Sequence, residues 1–195
     1  MANKASKGSA FEREVCKRLS LWWTQDEDDG SRDDVFWRTS NSGGRATTRG
    51  KSGKKTKNQY GDVGATDLMG QPLLDLVTIE IKRGYNSSTI ADLLDKPLGA
   101  AKQRYEEWIE KIIKTSEEAK TPYWLLITRR DRRETIIVLL DDFGRKLCNF
   151  GGTIPMLRFD ILVGKPEHRR SVIAVPLIDF LDQVEPYDVE RLKVS

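Results

Sequence analysis

The sequence predicts an α/β fold, a single domain in which helices flank a central mixed β-sheet. Three observations lead there. Apolar residues recur at helical spacing near the N-terminus and again over about 98–119. Short apolar and β-branched runs lie between and after those stripes. The resulting order, α-β-β-β-α-β-β-β-α, joins some strands directly and others through a helix. At 195 residues the chain is long enough to bury a core, so one domain over 1–195 is expected.

The first helix is expected from about Ser9 to Trp23, where Phe11, Val15, Cys16, Leu19, Trp22 and Trp23 form one stripe. "VFWRTS", Val35–Ser40, reads as a short strand. "DVGATDLMGQPLLDLVTIEIK" reads as a hairpin, with an arm near 62–67, a turn around Met69–Pro72 and a longer arm from Leu74 to Lys82. "STIADLLDKP" is expected to be helical until Lys96, which precedes Pro97. The next helix, about Leu98 to Ala119, carries Ala101, Tyr105, Trp108, Ile109, Ile112 and Ile113 on one side. "YWLLIT" and "ETIIVLL" are strands joined by "RRDRR"; "LRFDILV" and "SVIAV" are further strands. "PLIDFLDQV" closes the chain as a helix with Pro176 in its first turn.

Composition narrows the class. Charged residues make up 32% against 38% hydrophobic, no apolar run approaches the ~20 residues of a membrane span, and "MANKASKGSA" lacks the apolar stretch of a signal peptide. Cys16 and Cys148 have neither zinc-ligand spacing nor a disulfide framework, so a reduced, cytoplasmic setting is expected. Net charge is +3, but it is unevenly spread. Residues 26–34, "DEDDGSRDD", are strongly acidic. From Asn41 to Gly61 there are six bases (Arg45, Arg49, Lys51, Lys54, Lys55 and Lys57) and no acid. That stretch is rich in Gly, Ser and Thr and suits a flexible loop that meets phosphate; a solvated surface loop is the plain alternative.

The strand "LVTIEIKRG" places Glu80 and Lys82 two residues apart, on one face, while Ile79 and Ile81 fill the other. On the first helix Glu12 falls within the apolar arc and Glu14 outside it. A buried carboxylate is costly without a cation or hydrogen-bond donor. Glu12 also has a structural reading, as the last residue of a "SAFE" capping box with Ser9 as N-cap. If the hairpin turns near Gly70, antiparallel pairing brings Asp62 opposite Glu80, and Asp67 nearer Leu74. Asp62 and Glu80 then converge beside Lys82 in a set suited to a hard divalent cation such as Mg²⁺, unless Glu80 and Lys82 form a simple ion pair.

Taken together, "KGSAFEREVCKRL", "RTSNSGG", "GDV" and "TIEIKRG" resemble the PD-(D/E)xK nuclease superfamily, most nearly its Holliday-junction-resolvase-like and phage-encoded members. The resemblance runs from about Lys7 to Leu140 and implies a restriction-endonuclease-like core. It implies a metal-dependent DNA endonuclease using Mg²⁺ or Mn²⁺, with Glu12, Asp62, Glu80 and Lys82 as catalytic residues. Asp62, Glu80 and Glu12 are the implied metal ligands. The chain departs from the "PD" pattern: Asp62 follows Gly61, and Asp67 follows Thr66 in "TDLMG". Asp67 therefore stays an alternative to Asp62, which the hairpin geometry favours. Ser40 and Ser42 match a Ser/Gly stretch near the site in resolvases and join the six loop bases as expected DNA contacts.

The resemblance favours a structure-selective enzyme acting on Holliday junctions or other branched DNA, working as a homodimer because two strands are cut. A sequence-specific restriction-type enzyme and a non-catalytic DNA-binding protein of the same fold are the alternatives. His168 is the only histidine, which argues against histidine-metal nucleases. "GKSGKK" lacks the spacing and the preceding strand of a phosphate-binding loop.

Overall fold

The computed structural model describes residues 4–25, 30–39, 60–97, 100–147, 155–163 and 168–193. The chain opens with helix α1 (Lys4–Trp23), continues through strands β1 (Phe36–Arg38) and β2 (Val63–Ala65), helix α2 (Gln71–Leu76) and strand β3 (Val77–Arg83). Helix α3 (Arg104–Ala119), strands β4 (Tyr123–Arg129) and β5 (Ile136–Leu140), and helix α4 (Asp141–Leu147) follow. Strands β6 (Leu157–Val163) and β7 (His168–Pro176) and helices α5 (Leu177–Gln183) and α6 (Pro186–Glu190) complete it.

Five strands form one mixed sheet in the order β3-β4-β5-β7-β6. Strands β3 and β4 are parallel, with α3 as their crossover, and the remaining pairs are antiparallel. This is the helix-flanked α/β architecture of a restriction-endonuclease-like core.

Side-chain alternation along the strands gives the sheet two apolar faces. One packs Ile79, Ile81, Ile127, Ile137 and Leu139 against Phe11, Val15 and Leu19 of α1 and Phe180 of α5. The other packs Trp124, Leu126, Val138 and Val172 against Tyr105, Trp108, Ile109 and Ile112 of α3. Each such fully buried side chain contributes roughly 1.5–3 kcal/mol of transfer free energy.

Four expectations need correction. Helix α1 begins at Lys4, so Ser9 lies inside it and cannot be its N-cap; the "SAFE" capping box does not form. The segment 62–82 is not a two-stranded hairpin. Its first arm, β2, pairs antiparallel with β1, with Arg38 opposite Val63. Between β2 and β3 come a 3₁₀ turn (Leu68–Gly70) and α2. The cause is local: the Asp67 carboxylate accepts from the Met69 amide at 3.1 Å, and Pro72 stands in the first turn of α2, where its missing amide costs nothing. Gly70 seals this turn against β1, since a Cβ there would come within 2.8 Å of Val35 and Phe36 side chains.

Only Ile90–Leu93 of "STIADLLDKP" is helical, as a 3₁₀ turn closed by reciprocal Thr89 and Asp92 bonds. Helix α3 starts at Arg104, because Gln103 caps it and Glu106 accepts from the Gln103 amide at 2.6 Å. Helices α2, α4 and α6 add to the expected order. The basic loop's Arg45, Arg49, Lys51, Lys54, Lys55 and Lys57, with Ser40, Ser42 and Cys148, lie outside the described residues, as do residues 26–29. No helix among the described residues is long and apolar enough to cross a membrane.

Candidate active site

Strand β3 is one of the sheet's two edge strands, and residues 61–63 run along its free side. Gly61 makes that approach possible. It has φ of 76°, and a Cβ there would fall 2.4 Å from the Ile79 carbonyl oxygen. Next along, the Asp62 amide donates to the Ile79 carbonyl at 2.8 Å, and the Ile81 amide donates to Asp62 Oδ2 at 2.7 Å. Asp62 thus satisfies two edge groups of β3 and is fixed beside it without the expected hairpin.

Glu80 and Lys82 face the α3 side, in register with Leu126 and Thr128 of β4. Lys82 Nζ donates to Glu80 Oε1 at 2.5 Å and to the Ile81 carbonyl at 3.2 Å, and lies 3.7 Å from Asp62 Oδ2. Three oxygens therefore converge on one ammonium group. Lys111 of α3, whose side chain is half exposed, also donates to Glu80 Oε1. Asp62 and Glu80 are each only 2% exposed.

Burial and the two charges divide the protons unequally. Burial, then the Glu80 charge, push the Asp62 carboxyl up from 3.8 to about 6, against the pull of Lys82. Burial also works against the Glu80 carboxylate, but Lys82 and Lys111 outweigh it and hold its pKa below the ordinary value. Lys82 is likewise opposed by burial, yet Asp62 and Glu80 raise its pKa. The neutral-pH site is a charged cluster in which Asp62 is the carboxylate nearest to taking a proton.

The donor set fits a hard divalent cation. Asp62 Oδ1 is buried and has no hydrogen-bond partner among the described residues, and the neighbouring donors are carboxylate and carbonyl oxygens. The Lys82 ammonium already holds a cation's place among them. Asp62 and Glu80 are the residues that could hold such an ion.

Glu12 is held apart from this pair. Its Oε2 accepts from Arg38 Nε of β1 at 2.8 Å, which supplies the partner its burial requires. Among the described residues no three carboxylate, Cys or His groups are gathered for one metal ion. Glu12 still acts at a distance: its charge adds to the upward push on Asp62 and on Cys16. The Cys16 thiol, driven up to about 12 first by burial and then by these carboxylates, stays neutral.

Asp67 goes elsewhere. It caps the 3₁₀ turn and pairs with Arg32 at 2.8 Å, in a half-exposed position. Glu14, placed outside the apolar arc, forms two 2.6 Å bonds with Arg129, whose guanidinium carbon lies 4.2 Å from the Phe11 ring centroid. Arg38 and Lys111 are the site-lining residues that the sequence reading missed. Lys111 carried a signal, standing three residues after Trp108 beside the stripe that α3 turns to the sheet. Arg38 carried only the need of Glu12 for a cation.

A protein family described as "Phage putative PDDEXK endonuclease" matches residues 3–191. No curated protein and no solved structure matches the chain.

Proposed function

The chain belongs to this phage PDDEXK endonuclease family, and from that premise we propose that it is a metal-dependent DNA endonuclease selective for Holliday junctions or other branched DNA. The observation that supports the reading most is the convergence of Asp62 Oδ2, Glu80 Oε1 and the Ile81 carbonyl on Lys82, with Asp62 Oδ1 left open beside them. Asp62 and Glu80 would hold Mg²⁺ or Mn²⁺, which would supply polarisation of a phosphoryl oxygen and a more acidic water. Lys82 then orients the attacking water and offsets charge that builds on the phosphate. Glu12 adds negative charge from the α1 side. The basic stretch with Arg45, Arg49, Lys51, Lys54, Lys55 and Lys57, and Ser40 and Ser42 before it, contact the DNA backbone. A homodimer cuts the two strands symmetrically, in the cytoplasm of the phage's host.

The test is cleavage of a four-way junction, a linear duplex and single strands in Mg²⁺ or Mn²⁺, with Glu80→Ala and Lys82→Ala variants alongside. Cutting of the junction that disappears in both folded variants supports the reading. Duplex cutting at fixed sequences replaces it with a restriction-type enzyme. DNA binding without cleavage in either metal makes the protein a binder.

A further inference from the structure

Lys82 belongs to a second feature. Together with Tyr85, Ser88, Trp108, Thr128 and Arg130 it lines a shallow cleft, open to solvent. The aromatic wall is built, not incidental. Tyr85 is 42% exposed, yet its ring meets Trp108 edge-on at 4.9 Å, and Trp108 meets Tyr105 the same way at 5.0 Å. Beneath, the Tyr105 and Thr128 hydroxyls are bonded at 3.0 Å. The guanidinium of Arg104 lies 5.5 Å from the Tyr85 ring centroid, so this ring already receives a flat cationic group. Arg130 also lines the cleft.

A braced, half-exposed ring, hydroxyl groups and guanidinium groups next to a lysine of the candidate active site match the parts of one nucleotide. The part of the Tyr85 ring left exposed beside Arg104 suits stacking by a base, the Ser88 hydroxyl suits a base edge, and Arg130 suits a phosphate. A base inside a duplex is covered on both faces by its neighbours and cannot lie on Tyr85. The occupant must be unstacked, as in a single strand, a flap or a branch point.

We propose that this cleft is a subsite for an unstacked nucleotide of the DNA strand adjoining the scissile phosphate, with its base on Tyr85 and its phosphate at Arg130. Its place beside that phosphate rests on the nuclease reading, because Lys82 borders both sites. It adds a physical reason for a preference for branched DNA: a base at a branch or flap is unstacked at less cost than one inside a duplex, which must be opened.

The test uses the full chain carrying Glu80→Gln, so that DNA is bound without being cut. Short single-stranded oligonucleotides with 2-aminopurine at one position each are titrated, and the fluorescence is read position by position. Stacking on Tyr85 should quench the probe at one or two adjacent positions. Adding Tyr85→Ala should remove that quench and weaken binding about tenfold, while Tyr85→Phe keeps both. A quench unchanged in Tyr85→Ala, binding without a position-specific quench, or no binding would each overturn the proposal. Thermal melting confirms that each variant is folded. Cleavage by the unsubstituted protein is measured separately: no cleavage with a Tyr85-dependent quench removes the nuclease reading and leaves the subsite. Normal cleavage with a Tyr85-independent quench removes the subsite alone.

Discussion

Asp141 and Asp62 are both buried aspartates beside the same sheet, at 3% and 2% exposure, and the protein treats them in opposite ways. Asp141 opens α4. Its Oδ1 takes Arg158 at 2.7 Å and its Oδ2 takes Arg145 at 2.7 Å, so guanidinium groups fill both oxygens, and the helix N-terminus favours the charge. Asp62 has one oxygen bonded by the Ile81 amide, the other buried and open, and a second carboxylate that pushes its pKa up. Leaving a buried acceptor unpaired costs about 1–3 kcal/mol. A protein that closes one carboxylate so completely has the means to close the other. The contrast sets Asp62 apart as the buried carboxylate with an oxygen that no described residue fills, the place where the proposed cation would bind.

The largest expected effect is on chemistry. Asp62→Asn should lower cleavage at least about 100-fold, because it removes a charge from the cation's donor set. Asp141→Ala should leave the cleavage rate per folded molecule unchanged but reduce unfolding free energy by about 2 kcal/mol, read from urea melts. A cleavage loss in Asp141→Ala as large as that in Asp62→Asn would erase the distinction.

The pH dependence sharpens it further. Folding raises the Asp62 pKa, so the folded state keeps a proton that the unfolded chain releases. The stability from that proton is full below 3.8 and is lost as pH rises through about 6. Metal-free Asp62→Asn should therefore be more stable than the unsubstituted protein above pH 6, and the advantage should shrink as pH falls towards 4. Urea unfolding across pH 4–8 checks this; an advantage that grows towards low pH would contradict it. The smallest effect belongs to Asp67→Asn, which weakens only a turn cap and an ion pair with a similarly exposed Arg32. Its stability should fall only slightly, less than in Asp141→Ala, with cleavage unchanged.

How much was legible follows from the range of each interaction. The stripe Phe11, Val15, Leu19, Trp22 packs as periodicity foretells, and Glu80 and Lys82 share a face because strand geometry leaves no other choice. Asp62 came to Glu80 as expected, but by a different route. The hairpin argument assumed a continuous ladder, whereas Pro72, the Asp67 cap and Gly70 turn the intervening chain into helix and send β2 to pair with β1. Glu12 showed its need for a cation but not which one: Arg38 lies 26 residues away and reaches it only through the packing of β1 on α1. Lys111 and the Tyr85–Trp108 contact arise where α3 crosses from β3 to β4, a placement that no local pattern encodes.

The most direct test of the open carboxylate is Mn²⁺ binding to the DNA-free protein, followed by the electron paramagnetic resonance signal of the free ion. The account predicts that the unsubstituted protein and Asp141→Asn take up Mn²⁺ alike and that Asp62→Asn, still folded, loses the site. Equal uptake by Asp62→Asn and the unsubstituted protein would contradict it.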